Sequence, residues 1–301
     1  MYNDRNISNL QEAPMATKLQ SFNPRQVMNR KDFEIQHKMD TYLQNVELHH
    51  HDFYEIFFLV TGDVTYAIEG RFYHVTPGDV LLISPRELHQ ITIRSETEPY
   101  ERFVLWIDPA MLSRLSTEKT NLEKCLNPSR ENYSNQLRIP IEYMNEIRNL
   151  MESIYRESDS EDFGADVLQE SLITQLLVRI NRISESKDEK REVGAYTNTL
   201  VEGVIDYVNL HYSETLSLDD MAERLFVSKY HLSHEFRKQM GTGVYHYIQK
   251  KRVQIARQLL AQGEKPNNVF RMCGFSDYAG FYRAFKAEYG AGPREFAASL
   301  R

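Results

Sequence analysis

Two groups of residues in this chain have the types and spacing to do chemistry. The first is His49-His50-His51-Asp52-Phe53-Tyr54-Glu55, followed by Gly62 and then His89. Side chains alternate along a strand, so His49, His51, Phe53 and Glu55 share one face. Imidazoles and a carboxylate there can hydrogen-bond a polar ligand. The second group is a pair of helix-turn-helix patterns near the C-terminus. In Ser217 to Phe236, Ser217 or Asp219 can cap a short helix, and Ala222 lets a second helix approach closely. Ser228 then caps that second helix, whose Leu232 and Phe236 point inward at i and i+4. Lys229, Tyr230, Ser233, His234 and Arg237 remain outward, a polar face suited to a major groove. The pattern recurs from Val269 to Lys286, with the turn at Gly274, a cap at Ser276 or Asp277, and Phe281 and Phe285 inward.

These residues need elements to hold them. Val244 to Leu260 reads as one amphipathic helix, with Tyr247, Ile248, Ile255, Ala256, Leu259 and Leu260 apolar. Such a spacer, roughly 25 Å long, can hold two recognition helices about 34 Å apart on one face of a duplex. Two copies on a rigid spacer favour a DNA reader over a structural helical hairpin. Ahead of them, from Glu34 to Ile107, short apolar runs bounded by turns predict strands at Tyr54–Val60, Val64–Glu69, Arg71–Val75, Val80–Ile83, Ile91–Ile93 and Phe103–Ile107. Glu69-Gly70 is a hairpin signal. Many short strands without helices predict a sandwich or closed barrel. Ile141, Met144, Ile147, Leu150, Met151 and Ile154 form a helical stripe, as do Phe163, Val167, Leu168, Leu172, Leu176 and Ile180. These two helices can pack on the barrel or pair with a second subunit.

Length and charge bound the rest. A chain of 301 residues suggests about two domains. The expected division is a loose arm over 1–31, a barrel with its helices over 32–183, a charged linker over 184–198 and a DNA-binding domain over 199–301. From Thr199 onward there are 14 Lys and Arg against 11 Asp and Glu, whereas the whole chain has 36 against 43. A mildly basic C-terminal part beside an acidic remainder fits a DNA reader attached to something that avoids DNA. No apolar run is long enough for a membrane helix, and the N-terminus lacks a signal-peptide pattern. Cys125 and Cys273 have no metal-like spacing. The expected compartment is the cytoplasm.

From about Leu200 to Phe296 the chain resembles the DNA-binding domain of the arabinose-operon regulator (AraC) family. The resemblance is carried by Leu218, Ala222, Ser228, Leu232, Phe236, Gly241, Tyr247, Arg252, Ala256, Leu259, Leu260, Gly274, Phe275, Asp277, Phe281, Arg283, Phe285, Lys286, Gly290 and Pro293. It implies base contacts through Tyr230, Ser233 and His234 in the first unit, and through Tyr278, Ala279, Tyr282 and Arg283 in the second. Phe270 replaces a small residue usual in the family, and Gly280 replaces a larger one. A helical Gly costs roughly 1 kcal/mol against Ala, which predicts a less rigid second recognition helix.

The front half resembles the cupin barrels. His49, one residue, His51, three residues, Glu55, six residues and Gly62 follow the first cupin motif. The second motif begins at Gly78, and His89 takes the place of its last histidine; Ser84, Arg86 and Ile93 depart from it. The resemblance implies His49, His51, Glu55 and His89 as candidate ligands of a divalent metal, a donor set that suits zinc, iron, nickel or manganese. Regulators of this type commonly hold a small polar effector, often a sugar, with no required cofactor. The effector-binding candidates are therefore His49, His51, Glu55 and His89 with Tyr66, Arg71 and Arg102; Tyr54 and Tyr73 are further pocket candidates.

The fold expected is a two-domain α+β protein. It combines an N-terminal cupin-like β-barrel carrying amphipathic dimerisation helices with a C-terminal all-α tandem helix-turn-helix domain. The expected function is a non-enzymatic transcriptional regulator. Its partners would be an operator duplex, a sugar-like effector, a second copy of the chain and, for an activator, RNA polymerase. The alternatives are a metal-dependent cupin enzyme fused to a DNA-binding tail, and a constitutive DNA-binding protein whose barrel is a scaffold.

Overall fold

Between Phe33 and Ile107 the alternating apolar residues build two antiparallel sheets packed face to face. The computed structural model describes residues 26–40, 46–94, 99–131, 133–186 and 198–299. Most of the expected arm and of the charged linker thus lies outside the described residues. One sheet has the order β1 (Phe33–Asp40), β8 (Tyr100–Ile107), β3 (Tyr54–Thr61), β6 (Asp79–Ile83), β9 (Gln136–Arg138). The other runs β2 (Val46–His49), β7 (His89–Ile93), β4 (Val64–Ile68), β5 (Arg71–Val75). The β4–β5 turn is Glu69-Gly70, with φ of 45° and 80°, the double positive φ of a tight hairpin turn. Between the sheets lie Phe57, Leu59, Tyr66, Ile68, Tyr73, Val75, Leu81, Ile83, Ile91 and Tyr100, all buried in one cluster. These side chains line the interior between the sheets.

The outer face of the five-stranded sheet needs a cover. Helix α1 (Pro109–Leu115) supplies Met111 and Leu112, while α2 (Ile141–Glu157) and α3 (Ala165–Glu185) supply Ile147, Met151, Ile154, Ile173, Leu177 and Ile180. They pack on Ile56, Phe58, Phe103 and Leu105 of the chain's own sheet. The helical stripe is therefore spent within the subunit rather than held for a partner. Four expected members of the two stripes face outward: Ile141, Phe163, Val167 and Leu168 are exposed. Phe163 precedes the helix, and Gly164 with φ 77° starts it, so the buried stripe takes hold at Ala165 and Ile173.

The C-terminal helices are α4 (Thr199–His211), α5 (Leu218–Arg224), α6 (Lys229–Met240), α7 (Val244–Ala261), α8 (Pro266–Met272), α9 (Tyr278–Tyr289) and α10 (Pro293–Ser299). Ser217 caps α5 by accepting from the Asp220 N–H, and Ser228 caps α6 by accepting from the His231 N–H. Asp277, not Ser276, caps α9, accepting from the Gly280 N–H at 2.7 Å. Gly280 thus sits in the first turn, where a missing side chain costs little, and a Cβ there would lie 3.4 Å from the Asp277 carboxylate. Phe270 packs edge-on to Tyr278 at 5.8 Å, which is how the bulkier residue is accommodated. The four-stranded sheet's outer face is also covered. Its Leu48, Ala67, Phe72 and Leu88 join Val201, Ile205, Phe236, Met240, Val244 and Ile248 in a single core.

Candidate effector site and nucleic-acid interface

The face shared by His49, His51 and Glu55 is kept in three dimensions. His49, His51 and Glu55 project inward from β2, the following turn and β3, and His89 joins them from β7, paired in register with His49. All four are buried. Each imidazole is held through Nδ1 by a backbone carbonyl two residues away. His49 bonds Glu47 O at 2.9 Å, His51 bonds Phe53 O at 2.9 Å and His89 bonds Glu87 O at 2.8 Å. A carbonyl only accepts, so Nδ1 carries a proton in each ring and Nε2 is the nitrogen left to face the cluster. For His51 and His89 that buried Nε2 has no hydrogen-bond partner. The His51 Nε2 lies 3.3 Å from Glu55 Oε2, an oxygen that also accepts from Trp106 Nε1 at 2.8 Å.

Burial, with neighbouring imidazoles, depresses His49 well below its ordinary pKa and brings His89 down to about 4. Burial alone would raise the Glu55 pKa, yet His51, His89 and the Trp106 hydrogen bond outweigh it and keep the carboxyl below its usual value. Burial thus favours the neutral form of His49 and His89, and neutral imidazole with carboxylate is what a divalent cation requires. One ligand atom each from His51, Glu55 and His89 lies within 4.8 Å of the others. His49 stands beside them, its ring centroid 4.1 Å from that of His89. Nδ1 bonded to carbonyl and Nε2 left over is the usual outer support of a metal-binding histidine. These residues fit a divalent metal.

The other effector candidates are not all brought to this cluster. Tyr66 and Arg102 meet further along the lumen around Tyr100, whose ring lies 4.0 Å beneath the Arg102 guanidinium. Burial raises both phenols, Tyr100 beyond the usual range and Tyr66 well above it. Arg71 is exposed at the start of β5 and stands apart. Tyr73 is core, its hydroxyl donating to Asn135 Oδ1 at 3.1 Å. Tyr54 instead lines a cavity of about 460 Å³ outside the lumen, with Asp52, Ser84, Arg86, Asn121 and Glu123, a volume within the range of small-molecule sites. Tyr100 and Trp106 escaped the sequence reading, although their parity with Arg102 along β8 places them on the same face.

On the recognition helices, Lys229, Tyr230, His234 and Arg237 are exposed and Ser233 half-buried on α6. Tyr230 and His234 stack with rings nearly parallel, 6.0 Å apart, and Lys229 is tied to Asp219 at 2.8 Å. On α9, Ala279, Tyr282 and Arg283 are exposed, while Tyr278 is half-buried against Phe270 and Phe281. The opposite ends of both helices touch the barrel. Gln90 Nε2 donates to Gln239 O near the end of α6 at 3.1 Å. Glu288 near the end of α9 faces His50 Nε2 at 3.3 Å. The spacer helix α7 is seated between them: Lys251 pairs with Glu69 at 2.9 Å, Arg257 with Asp52 at 2.5 Å, and Gln254 donates to Arg86 O. The barrel grips the C-terminal ends and leaves free the N-terminal ends, which in helix-turn-helix proteins meet base edges.

A two-sheet ligand-binding half joined to tandem helix-turn-helix units defines a class of DNA-binding regulator. Residues 33–177 match the AraC-like ligand binding domain and residues 221–299 match a Helix-turn-helix domain. The chain belongs to the AraC family of transcriptional regulators. It is 27% identical over 240 residues to the HTH-type transcriptional regulator YbfI of Bacillus subtilis, covering 78% of this chain and 81% of that one. It is 25% identical over 248 residues to the HTH-type transcriptional activator RhaS of Escherichia fergusonii, covering 82% and 86%. Among solved structures, ToxT from Vibrio cholerae aligns over 90% of this chain and 100% of its own at 15% identity, with a TM-score of 0.38. The relatives are regulators, not enzymes, and the chain is a DNA-binding transcriptional regulator with an effector-binding half. Among the described residues no helix is long and apolar enough to cross a membrane.

Proposed function

We propose that this regulator reads an operator through Lys229, Tyr230, Ser233, His234 and Arg237 of α6 and through Tyr278, Ala279, Tyr282 and Arg283 of α9, under control of a small effector in its N-terminal barrel. The observation that carries the reading is that all of these side chains but the half-buried Ser233 and Tyr278 are exposed, on two capped helices whose far ends touch the barrel. The effector is a sugar or sugar derivative, contacted by His49, His51, Glu55 and His89 at one end of the lumen and by Tyr66 and Arg102 at the other, with Arg71 at the rim. The histidine–glutamate end also takes a divalent metal, through Nε2 of His51 and His89 and the Glu55 carboxylate, with His49 adjoining. Such a metal supplies a charged anchor for the effector's oxygens, while Trp106 holds Glu55 in place.

The working division of the chain is an arm over 1–31, the effector-binding part over 32–183, a linker over 184–198 and the DNA reader over 199–301. The chain acts in the cytoplasm as a homodimer joined through the exposed face of α2 and α3, and as an activator it would touch RNA polymerase. The competing scaffold reading gives a DNA affinity that no effector changes. Tyr230→Ala combined with His234→Ala tests the base-reading assignment. It should abolish the operator footprint while leaving the helical circular dichroism intact, because both side chains are exposed and support no core. An unchanged footprint would overturn the assignment.

A further inference from the structure

We propose that a divalent metal held by His51, Glu55 and His89 is sensed by the DNA-binding half, through the chain neighbours of the ligands themselves. The inference rests on the reading of that cluster as a metal site. Placement of the ligands' chain neighbours carries it: each of them points away from the cluster toward the helical half. Between His49 and His51 stands His50, buried against the second helix-turn-helix unit, 3.3 Å from Glu288 and with its ring 5.8 Å from that of Tyr289. After His51 comes Asp52, paired with Arg257 of the spacer helix. After His89 comes Gln90, which donates to Gln239 O at the end of the first recognition helix. His51 is also linked through the main chain, since its carbonyl accepts from the Arg86 N–H at 2.7 Å and the Arg86 carbonyl accepts from Gln254. Arg86 holds φ 76°, a conformation costly for a side-chain-bearing residue and kept only where surroundings fix it.

The gap among the ligand atoms themselves suits a single ion, beside which an effector's oxygens can approach. One ligand atom each of His51, Glu55 and His89 lies within 4.8 Å of the others, and the rings beside them are already packed, His51 on Phe53 at 4.1 Å and on His89 at 4.9 Å. One ion can bridge that gap; coordination at about 2.0–2.1 Å from each imidazole nitrogen requires the ligand atoms to draw closer. Drawing His51 and His89 together moves the turn after β2 relative to β7, the two segments on which the ends of α9 and α6 rest. Metal therefore tightens the seat under both recognition helices at once.

Hydrogen exchange on the full-length protein, with bound zinc counted by mass spectrometry, tests this. At zinc a hundred times its dissociation constant, the most a bound state can slow exchange is about a hundredfold. The expected result is at least about tenfold slower exchange at the ends of α6 (239–241) and α9 (288–290), relative to chelated protein. His50→Ala with Gln90→Ala should bind the same one equivalent of zinc without that slowing. Asp52→Asn, nearly isosteric, serves if the double variant is not folded, and should reduce the slowing along α7. One zinc bound by the wild type with exchange at these ends unchanged overturns the coupling alone. Slowing that persists in the variants also overturns it. Failure to bind zinc overturns the metal reading and the coupling together.

Discussion

Gly274 sits where the two halves of the DNA reader meet, and replacing it with Ala should be unusually costly. Its φ is +76°, and a Cβ would lie 2.5 Å from Tyr212 O and 2.9 Å from both Ser213 C and Arg252 Nη2. The left-handed conformation alone costs a residue with a side chain about 1–2 kcal/mol. The overlap then displaces Arg252, whose Nε donates to Tyr212 O at 2.8 Å and whose Nη2 donates to Glu214 O at 2.6 Å. Losing one hydrogen bond of a charged group costs about 1.5–3 kcal/mol, less where solvent reaches it, as it does here. Gly274→Ala should thus destabilise the C-terminal half by about 3–4 kcal/mol, a large share of the 5–15 kcal/mol typical of a domain. Gly263→Ala is the internal control. It has φ +92° with nothing within 4 Å of the added Cβ, so only the conformational cost applies. Urea unfolding followed by far-ultraviolet circular dichroism reads the helical half, while the single Trp106 reports the barrel. If Gly274→Ala and Gly263→Ala agree within about 0.5 kcal/mol, the steric reasoning fails.

Two further outcomes follow from the barrel. Zinc or nickel at a hundred times its dissociation constant should raise barrel stability by about 2.7 kcal/mol, read by Trp106 fluorescence, and His51→Ala with His89→Ala should remove the effect; an unshifted wild type contradicts the metal reading. Burial raises Glu87 to about 7 even though Ser84 and Asn135 donate to it. A folded pKa above the unfolded one means the native state holds the proton more tightly, so this group's contribution to stability falls as pH rises from about 4.5 to 7. Glu87→Gln mimics the protonated form and should therefore gain on the wild type as pH rises from 5 to 8, in chelator; a pH-independent difference would contradict it.

Much of this was legible in the sequence, for local reasons. The caps Ser217, Ser228 and Asp277, the turn at Gly274 and the alternation through His49, His51 and Glu55 are all decided within a few residues. What was hidden depends on pairing across the chain. β9 is three residues and exists because it pairs with β6; β2 is four residues and likewise borrows its form from β7. The docking of α2 and α3 on the barrel's own sheet was one of two options, which periodicity cannot separate. The seam between the halves left a faint signal. Lys250 and Gln254 are buried on the spacer helix, polar residues where an exposed face would be expected, and Lys250 meets Glu288 at 3.1 Å. His50 pointed away from the expected ligand face and received no role, yet it is the residue that places the barrel against α9.

The most direct test of the central claim is selection of duplexes from a random DNA pool by the purified protein. Two recognition helices on one rigid spacer should enrich sequences with two conserved blocks about 10–10.5 base pairs apart, one helical turn. Tyr230→Ala with His234→Ala should erase one block and Arg283→Ala weaken the other. Enrichment of a single block that both variants affect alike, or of none, would contradict a tandem reader.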